Sequence, residues 1–454
     1  MAWLFDARRS RTLWRLAILA VAIGAGFAGF TPAAWALPSF ARQTGQQCAA
    51  CHNGFPELTP YGRLFKLNGY TFGGGQSNLP PLAAMEVTSF THTQASQSSA
   101  PADHFGENNN IASEFESLFY GGAIASDLGL GAFAQITRDN VAERLHWDNT
   151  DIRWAKSTIL DDSELVAGVS LNNNPSVTDP WNTTPAWRFP FQSSALAPTP
   201  STSTLIESLA QQVIGVDAYG FWNRFVYAEV GGYHTLTQRG QTTLGIDPGS
   251  SVGTTDGIAP YWRLAVEPHW GPNSWEVGTF GMRASIEPAF VRGFGTDDIT
   301  DLGLDTQYQY LSDRHSVSLQ ASWIHESQTL NSSFAQGNSS NLHDSLDSVR
   351  IKSSYYLDQT YGVTLGYFRI SGSSDAQLYS SNTVTRPNSA GWIGELDYIP
   401  FNHGGPDFWP WLNVKFGLQY VYYTEFDGSA TNFDGNGRNA NDNNTIYLFA
   451  WLAF

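Results

Sequence analysis

Ser316-Val317-Ser318-Leu319-Gln320-Ala321-Ser322-Trp323 alternates polar or small side chains with mostly apolar ones over eight residues. That is the period of a strand with one wet and one apolar face. Val349-Ile351-Ser353-Tyr355-Leu357 alternates with Arg350-Lys352-Ser354-Tyr356, and Tyr361-Val363-Leu365-Tyr367 with Gly362-Thr364-Gly366-Phe368. A soluble sandwich shows the same period, so connection lengths have to decide between sandwich and barrel. Tight turns fall near Ser126-Asp127, Asp161-Asp162, Trp222-Asn223, Gly271-Pro272-Asn273, Asp313-Arg314 and Asp358-Gln359. Between them lie longer polar loops at 95–110, 139–148, 173–208, 236–256, 287–296, 329–342, 374–388 and 427–442. The connection from Phe401 to Pro410 is the longest on the short-turn side. Short turns at one end and long loops at the other predict an all-β transmembrane barrel of about 16 antiparallel strands over residues 82–454. Ile446, Leu448, Ala450, Leu452 and Phe454 alternate down to a terminal aromatic, as a last outer-membrane strand does. An even strand count puts both ends of the barrel on the periplasmic side.

Residues 1–36 read as an export leader. Arg8, Arg9, Arg11 and Arg15 precede an apolar run from Leu16 to Phe30, and Ala34-Trp35-Ala36 follows as a cleavage site. No later stretch approaches the roughly 18 apolar residues of a spanning helix. The chain is 14% aromatic, with 16 Trp, and only 14% charged, where soluble domains carry about 25%. Without the leader's four Arg and one Asp, the 24 basic and 41 acidic residues become 20 and 40. So acidic a chain has no nucleic-acid partner to expect.

Both cysteines lie in Cys48-Ala49-Ala50-Cys51-His52. C-x-x-C-H is the spacing at which two thiols bond the vinyl groups of a haem and the adjacent imidazole takes an axial site on its iron. A thioredoxin-like redox pair would want a βαβ setting, and four-cysteine zinc sites and disulfide scaffolds are excluded by count. The segment from residue 37 to 81 is therefore expected to carry one covalent haem c on Cys48 and Cys51, with His52 as axial ligand. Thr59 as N-cap, Pro60 at the first helical position and Gly69 as C-cap predict a short helix between them. Leu64, Phe65 and Leu67 give it an apolar face. Arg42, Arg63 and Lys66 are candidates to pair with haem propionates, against the alternative of solvated surface charge. Met85 is the first candidate for the sixth ligand, although alternation with Glu86 and Thr88 predicts a lipid-facing Met85. His92 and His104 are its rivals. About 45 residues rarely build a core alone, so this segment is expected in or against the barrel lumen. The loop 173–208, with six prolines and with Trp181, Trp187, Phe189 and Phe191, either folds inward to wall the haem or lies outside.

Pro38-Ser39-Phe40-Ala41-Arg42-Gln43-Thr44-Gly45, the C-x-x-C-H motif and Gly62-Arg63-Leu64-Phe65-Lys66-Leu67-Asn68-Gly69-Tyr70 resemble the fused monohaem cytochrome c–porins of the outer membrane. The best-known members of that family are the Fe(II) oxidases of iron-oxidising bacteria. The motif match covers the N-terminal segment only; length and barrel plan fit throughout. The resemblance implies an oxidoreductase that takes an electron from extracellular Fe(II) or another donor and hands it to a periplasmic cytochrome or other soluble carrier. It carries over Cys48, Cys51 and His52, and it identifies no iron-binding site. Loop carboxylates Asp103, Glu107, Asp139, Glu143, Asp148, Asp427, Asp434 and Asp442 could concentrate cations or merely solvate the surface. The competing functional reading is a porin-like transport or sensing barrel with a haem-bearing plug.

Overall fold

The computed structural model describes residues 38–73, 80–405 and 411–454. The expected leader, residues 1–36, and residues 74–79 of the haem segment lie outside the described residues. Among the described residues three short helices come first: α1 (Pro38–Thr44), α2 (Cys48–Cys51) and α3 (Pro60–Leu67). Strands follow as β1 (Leu82–Thr93), β2 (Asn110–Ala125), β3 (Leu130–Asp139), β4 (Arg144–Leu160), β5 (Ser163–Asn172), β6 (Val213–Trp222) and β7 (Val226–Thr235). Next come β8 (Gly253–Thr255), β9 (Ala259–Val266), β10 (His269–Trp270), β11 (Asn273–Pro288), β12 (Asp297–Leu311) and β13 (His315–Thr329). The chain ends with β14 (His343–Leu357), β15 (Tyr361–Gly372), β16 (Ser389–Tyr398), β17 (Asn413–Glu425) and β18 (Thr445–Ala453). The pieces β8, β9 and β10 pair end to end with β11 and make one interrupted stave. The staves therefore number 16, all antiparallel, and β1 closes the sheet by pairing with β2 and β18.

The tight turns stand where the sequence placed them. Asp161 and Asp162 link β4 to β5 with φ of 46° and 62°, the paired left-handed conformation that matches a hairpin's twist. Along β13, Ser316, Ser318, Gln320 and Ser322 are buried in the lumen, while Leu319 and Trp323 are exposed on the outer face. Leu118, Trp154, Val216, Leu264, Leu304, Ile351, Leu365, Leu396 and Leu448 extend that exposed apolar belt around the circumference. In water such a belt would be an unburied core; in a bilayer it is the surface lipid tails require. Among the described residues no helix is long and apolar enough to cross a membrane, so the strands do the crossing. A Leu304→Arg substitution is expected to cost the barrel about 2–4 kcal/mol, measurable as a lowered denaturant midpoint in lipid vesicles.

The phase of β1 is opposite to the sequence expectation. Ala83, Met85 and Val87 are buried inside, whereas Ala84, Glu86 and Thr88 face out. The rule of a polar inner face holds for a wet lumen. Here protein fills the lumen behind the first half of β1, so Ala83, Met85 and Val87 form an apolar inner row there, which Ser89, Thr91 and Thr93 continue as buried polar residues. β18 behaves likewise, with Tyr447, Phe449 and Trp451 buried inside.

Candidate functional site

The helix α2 consists of the four residues between and including the two cysteines, and neither is in a disulfide. His52 leaves the helix in extended conformation, its N–H still donating to Cys48 O at 2.8 Å. Residues 52–58 then fold back on themselves: His52 pairs with Leu58, and Asn53 N–H donates to Glu57 O at 2.7 Å. Thr59 ties the two helices together. Its N–H donates to Cys51 O at 2.9 Å and its hydroxyl to Ala50 O at 2.6 Å, while the same oxygen caps α3 by accepting from Gly62 N. A Cβ at Gly62 would stand 2.2 Å from Cys51 O, so only glycine lets α3 pack this closely on α2.

His52 Nδ1 lies 2.9 Å from Pro56 O. A carbonyl only accepts, so Nδ1 carries the proton and Nε2 keeps the lone pair a metal needs. Burial pushes the imidazole down to about 4, against the raising effect of backbone groups at Pro56 and Glu57, so the ring is neutral at neutral pH. Burial and the neighbouring Cys48 push the Cys51 thiol up to about 12. Cys48 belongs to a buried apolar cluster with Phe55, Phe65, Met85, Phe119 and Trp451. Two thiols one helical turn apart, a neutral imidazole with its tautomer set, and an apolar surround form a donor set that fits a covalent haem. Met85 shares that cluster, which puts its thioether on the lumen side of β1. The rivals do not: His92 points outward and bonds Asn109, and His104 sits in an exposed loop near Glu143. For Met85 and His92 the reason is again the phase of β1, which turns odd-numbered residues inward.

Charged groups seat the segment in the lumen. Glu57 is buried against Lys352 and accepts from Gln309 at 2.7 Å. Burial alone would raise its carboxyl, but the Lys352 ammonium holds it below the usual range. Arg63, 2% exposed, meets Glu267 at 2.5 Å and donates to Gln309 and Ser274. Lys66 Nζ donates to Val177 O and Asp179 O, each at 2.7 Å. Arg42 donates to Leu82 O and stacks on Trp411. The sequence offered Arg42, Arg63 and Lys66 as propionate partners. All three hold protein groups here, and Arg63 and Lys66 are buried, where a cation must be paired where it lies. An Arg63→Ala change leaves Glu267 buried without its guanidinium partner and is expected to cost about 3–5 kcal/mol, read from denaturant unfolding. Arg63→Met with Glu267→Leu is expected to recover most of the loss.

Lys66 adds a pH dependence. Burial and the nearby Arg153 guanidinium push its ammonium down to about 7. The unfolded chain then holds a proton that the folded one has lost between about pH 7 and the ordinary lysine range near 10. Stability is therefore expected to rise with pH across that window. The wild-type minus Lys66→Met difference in midpoint checks it, and a difference flat from pH 7 to 10 would refute it.

The long loop folds inward. Trp181 is fully buried and its indole donates to Glu267 Oε2 at 3.0 Å. Asp179 accepts from the backbone of Trp181, Thr183 and Thr184 and faces Arg263 at 3.4 Å. Trp187 lies over the Lys66 ammonium and against Phe133. Farther on, Thr91 bonds Ser194, Gln419 bonds Gln192 O, and Ser201 bonds Asp427. Glu326 and Asp301 receive the N–H groups of Leu205 and Ile206 in α4 (Leu205–Ser208). The loop thus touches opposite walls, and Phe191 packs against both the cluster around Cys48 and the one around Phe368 and Tyr423. A cavity of about 20 Å³ beside Arg188, Arg350 and Phe368 has room for a single water. The sequence signal for the inward fold was the loop's aromatic content, which a solvent-exposed loop has no use for.

The loop carboxylates do not converge. Asp434 and Asp139 accept backbone N–H groups of their own turns, Asp442 forms a capping box with Asn439, and Asp148 points into the barrel toward Thr137. Among the described residues no group of three or more His, Cys, Asp or Glu is arranged to hold a metal ion.

No family model matches the chain, and no curated relative matches it either. Solved structures similar to it include OmpF of Salmonella typhi in complex with daunomycin, at 11% identity and a TM-score of 0.45, covering 82% of this chain and 97% of that one. The trimer form of the outer-membrane protein OmpT of Vibrio cholerae is similar at 9% identity and a TM-score of 0.43, covering 82% and 98%. The outer-membrane channel DcaP of Acinetobacter baumannii is similar at 11% identity and a TM-score of 0.42, covering 82% and 96%.

Proposed function

We propose that this chain is an electron conduit of the bacterial outer membrane. One haem c on Cys48 and Cys51 would take electrons from a donor outside the cell, Fe(II) in the first instance, for a soluble carrier in the periplasm. The observation that carries the reading is the thiol–thiol–imidazole set of Cys48, Cys51 and His52, held by protein contacts inside a barrel whose lumen is filled from both ends. When bound, the haem supplies one-electron exchange at its iron. The chain's own part is positional. Cys48 and Cys51 would hold the group, Pro56 O orients His52, whose Nε2 would ligate the iron, and Met85 on the lumen side would be a further candidate ligand. The apolar cluster excludes water, and the inward loop keeps solutes from crossing where only electrons need to. The short turns and both barrel ends are assigned to the periplasmic side, where a carrier could reach α2. The resemblance of residues 38–70 to fused cytochrome–porins supports the same reading.

The test is to purify the full chain in detergent and follow haem absorbance while Fe(II) is added without oxygen at several pH values. Rapid appearance of reduced-cytochrome bands is the expected result. A haem that dithionite reduces and Fe(II) does not would overturn Fe(II) as the donor. Absence of any haem absorbance would overturn the conduit itself.

A further inference from the structure

Asp301 of β12 and Glu326 of β13 are register partners toward the long-loop end of the barrel, both turned into the lumen and only 1% and 2% exposed. Together they hold the start of α4. Glu326 Oε2 accepts from the N–H of Leu205 at 2.5 Å, and Asp301 Oδ2 accepts from that of Ile206 at 2.9 Å. Leu205 and Ile206 share a buried apolar cluster with Met282 and Ile324. Glu326 Oε1 accepts from Gln328, whereas Asp301 Oδ1 is buried without a donor. The two carboxyls are hydrogen-bonded to each other. An ionised carboxylate only accepts, so that bond needs a proton on one of them.

The surroundings bring no cation to take that proton's place. On α4 the titratable group is Glu207, which bonds Arg188 at 2.6 Å and has Arg350 nearby. His325 is turned outward on β13 and meets Asp347 at 3.0 Å. Asp344 of β14 is the register partner of Gln328, and Tyr379, in the loop after β15, lies near Glu326 and Asp344. On β11 the residue opposite Asp301 is the neutral Met282. Asp297, farther along β12, accepts from the backbone of Ser332 and Ser333. Among the described residues neither Asp301 nor Glu326 is in an ion pair. Without the shared proton, two buried carboxylates would stand directly opposed, which destabilises the pair. Lifting α4 away lets water reach both groups, and each then ionises in the ordinary carboxyl range near about pH 4. The seated loop therefore holds one proton more than the released one, and its seating weakens as pH rises above that range. We propose that Asp301 and Glu326 form a proton-binding site that latches the inward loop, with α4 seated most firmly in acid and loosened as the pH rises.

The experiment follows hydrogen exchange of α4 in the full chain in lipid discs from about pH 5 to 9, with labelling times scaled for the intrinsic effect of pH on exchange. Protection of the Leu205 and Ile206 amides is expected to fall by up to about tenfold per pH unit, the slope of one released proton, while protection in β15 holds. Glu326→Gln puts an amide donor where the shared proton stood, and it is expected to flatten the fall. Asp301→Asn is a second route to the same flat profile should the first variant not fold. Glu207→Gln, outside the shared bond, is expected to keep the wild-type slope. Wild-type protection that does not change with pH would overturn the proposal, and so would a fall that persists in Glu326→Gln or Asp301→Asn.

Discussion

Membranes from cells producing the Cys48→Ala, Cys51→Ala chain are expected to contain the barrel with no haem that survives denaturation. Loss of covalent attachment should be complete, because each thiol supplies one bond to the group and no third cysteine exists. The single variants should keep one bond and stain weakly for haem on a denaturing gel. The barrel itself should persist. The contacts that seat residues 38–73 are protein contacts, chiefly Arg63 with Glu267, Glu57 with Lys352 and Lys66 with the carbonyls of Val177 and Asp179. The measurement pairs a haem stain with an immunoblot of the same gel. Denaturation-resistant haem on the double variant would refute the assignment of α2 as the attachment site.

The second large effect concerns permeability. A barrel of 16 to 18 staves that is empty leaves an aqueous channel. This one has 16 staves and two inserts, the N-terminal segment and the loop after β5. Planar-bilayer recordings of the wild type are expected to show no channel-sized conductance. Replacing residues 174–211 by a short Gly–Ser linker, which still joins β5 to β6, and removing residues 38–79 should together open a porin-sized channel. Either deletion alone should give less. The coupling is physical, since Lys66 of one insert donates to the backbone of the other. Wild-type conductance equal to that of the double deletion would show that the inserts do not close the lumen, and would favour the transport reading over the conduit.

Much of the architecture was legible in the chain. Period-two alternation in β13, β14 and β15, the tight turns and the unequal connection lengths are local signals, written within ten or twenty residues. They determine strand, turn and the existence of an inner and an outer face, because side chains on a strand alternate whatever the strand packs against. The C-x-x-C-H motif is equally local: the spacing of thiols and imidazole is a property of one helical turn.

What lay across the lumen was not legible. The face on which Met85 falls follows from whether water or protein fills the space behind β1, which is decided by segments tens to hundreds of residues away. The partners of Arg63 and Lys66, at sequence separations of 204 and 111–113, could not be read from their neighbours either. A buried charge takes the nearest compensating group in space, and the chain reaches Glu267 only after the barrel has closed. The loop 173–208 left two possibilities open in the sequence, and closure resolved them by giving Trp181 a walled interior to fill. The sequence alone thus determined the staves and the C-x-x-C-H spacing, because both are set by neighbours along the chain. Only the tertiary structure decided which groups the motif faces, because those neighbours are supplied by the far wall of the barrel.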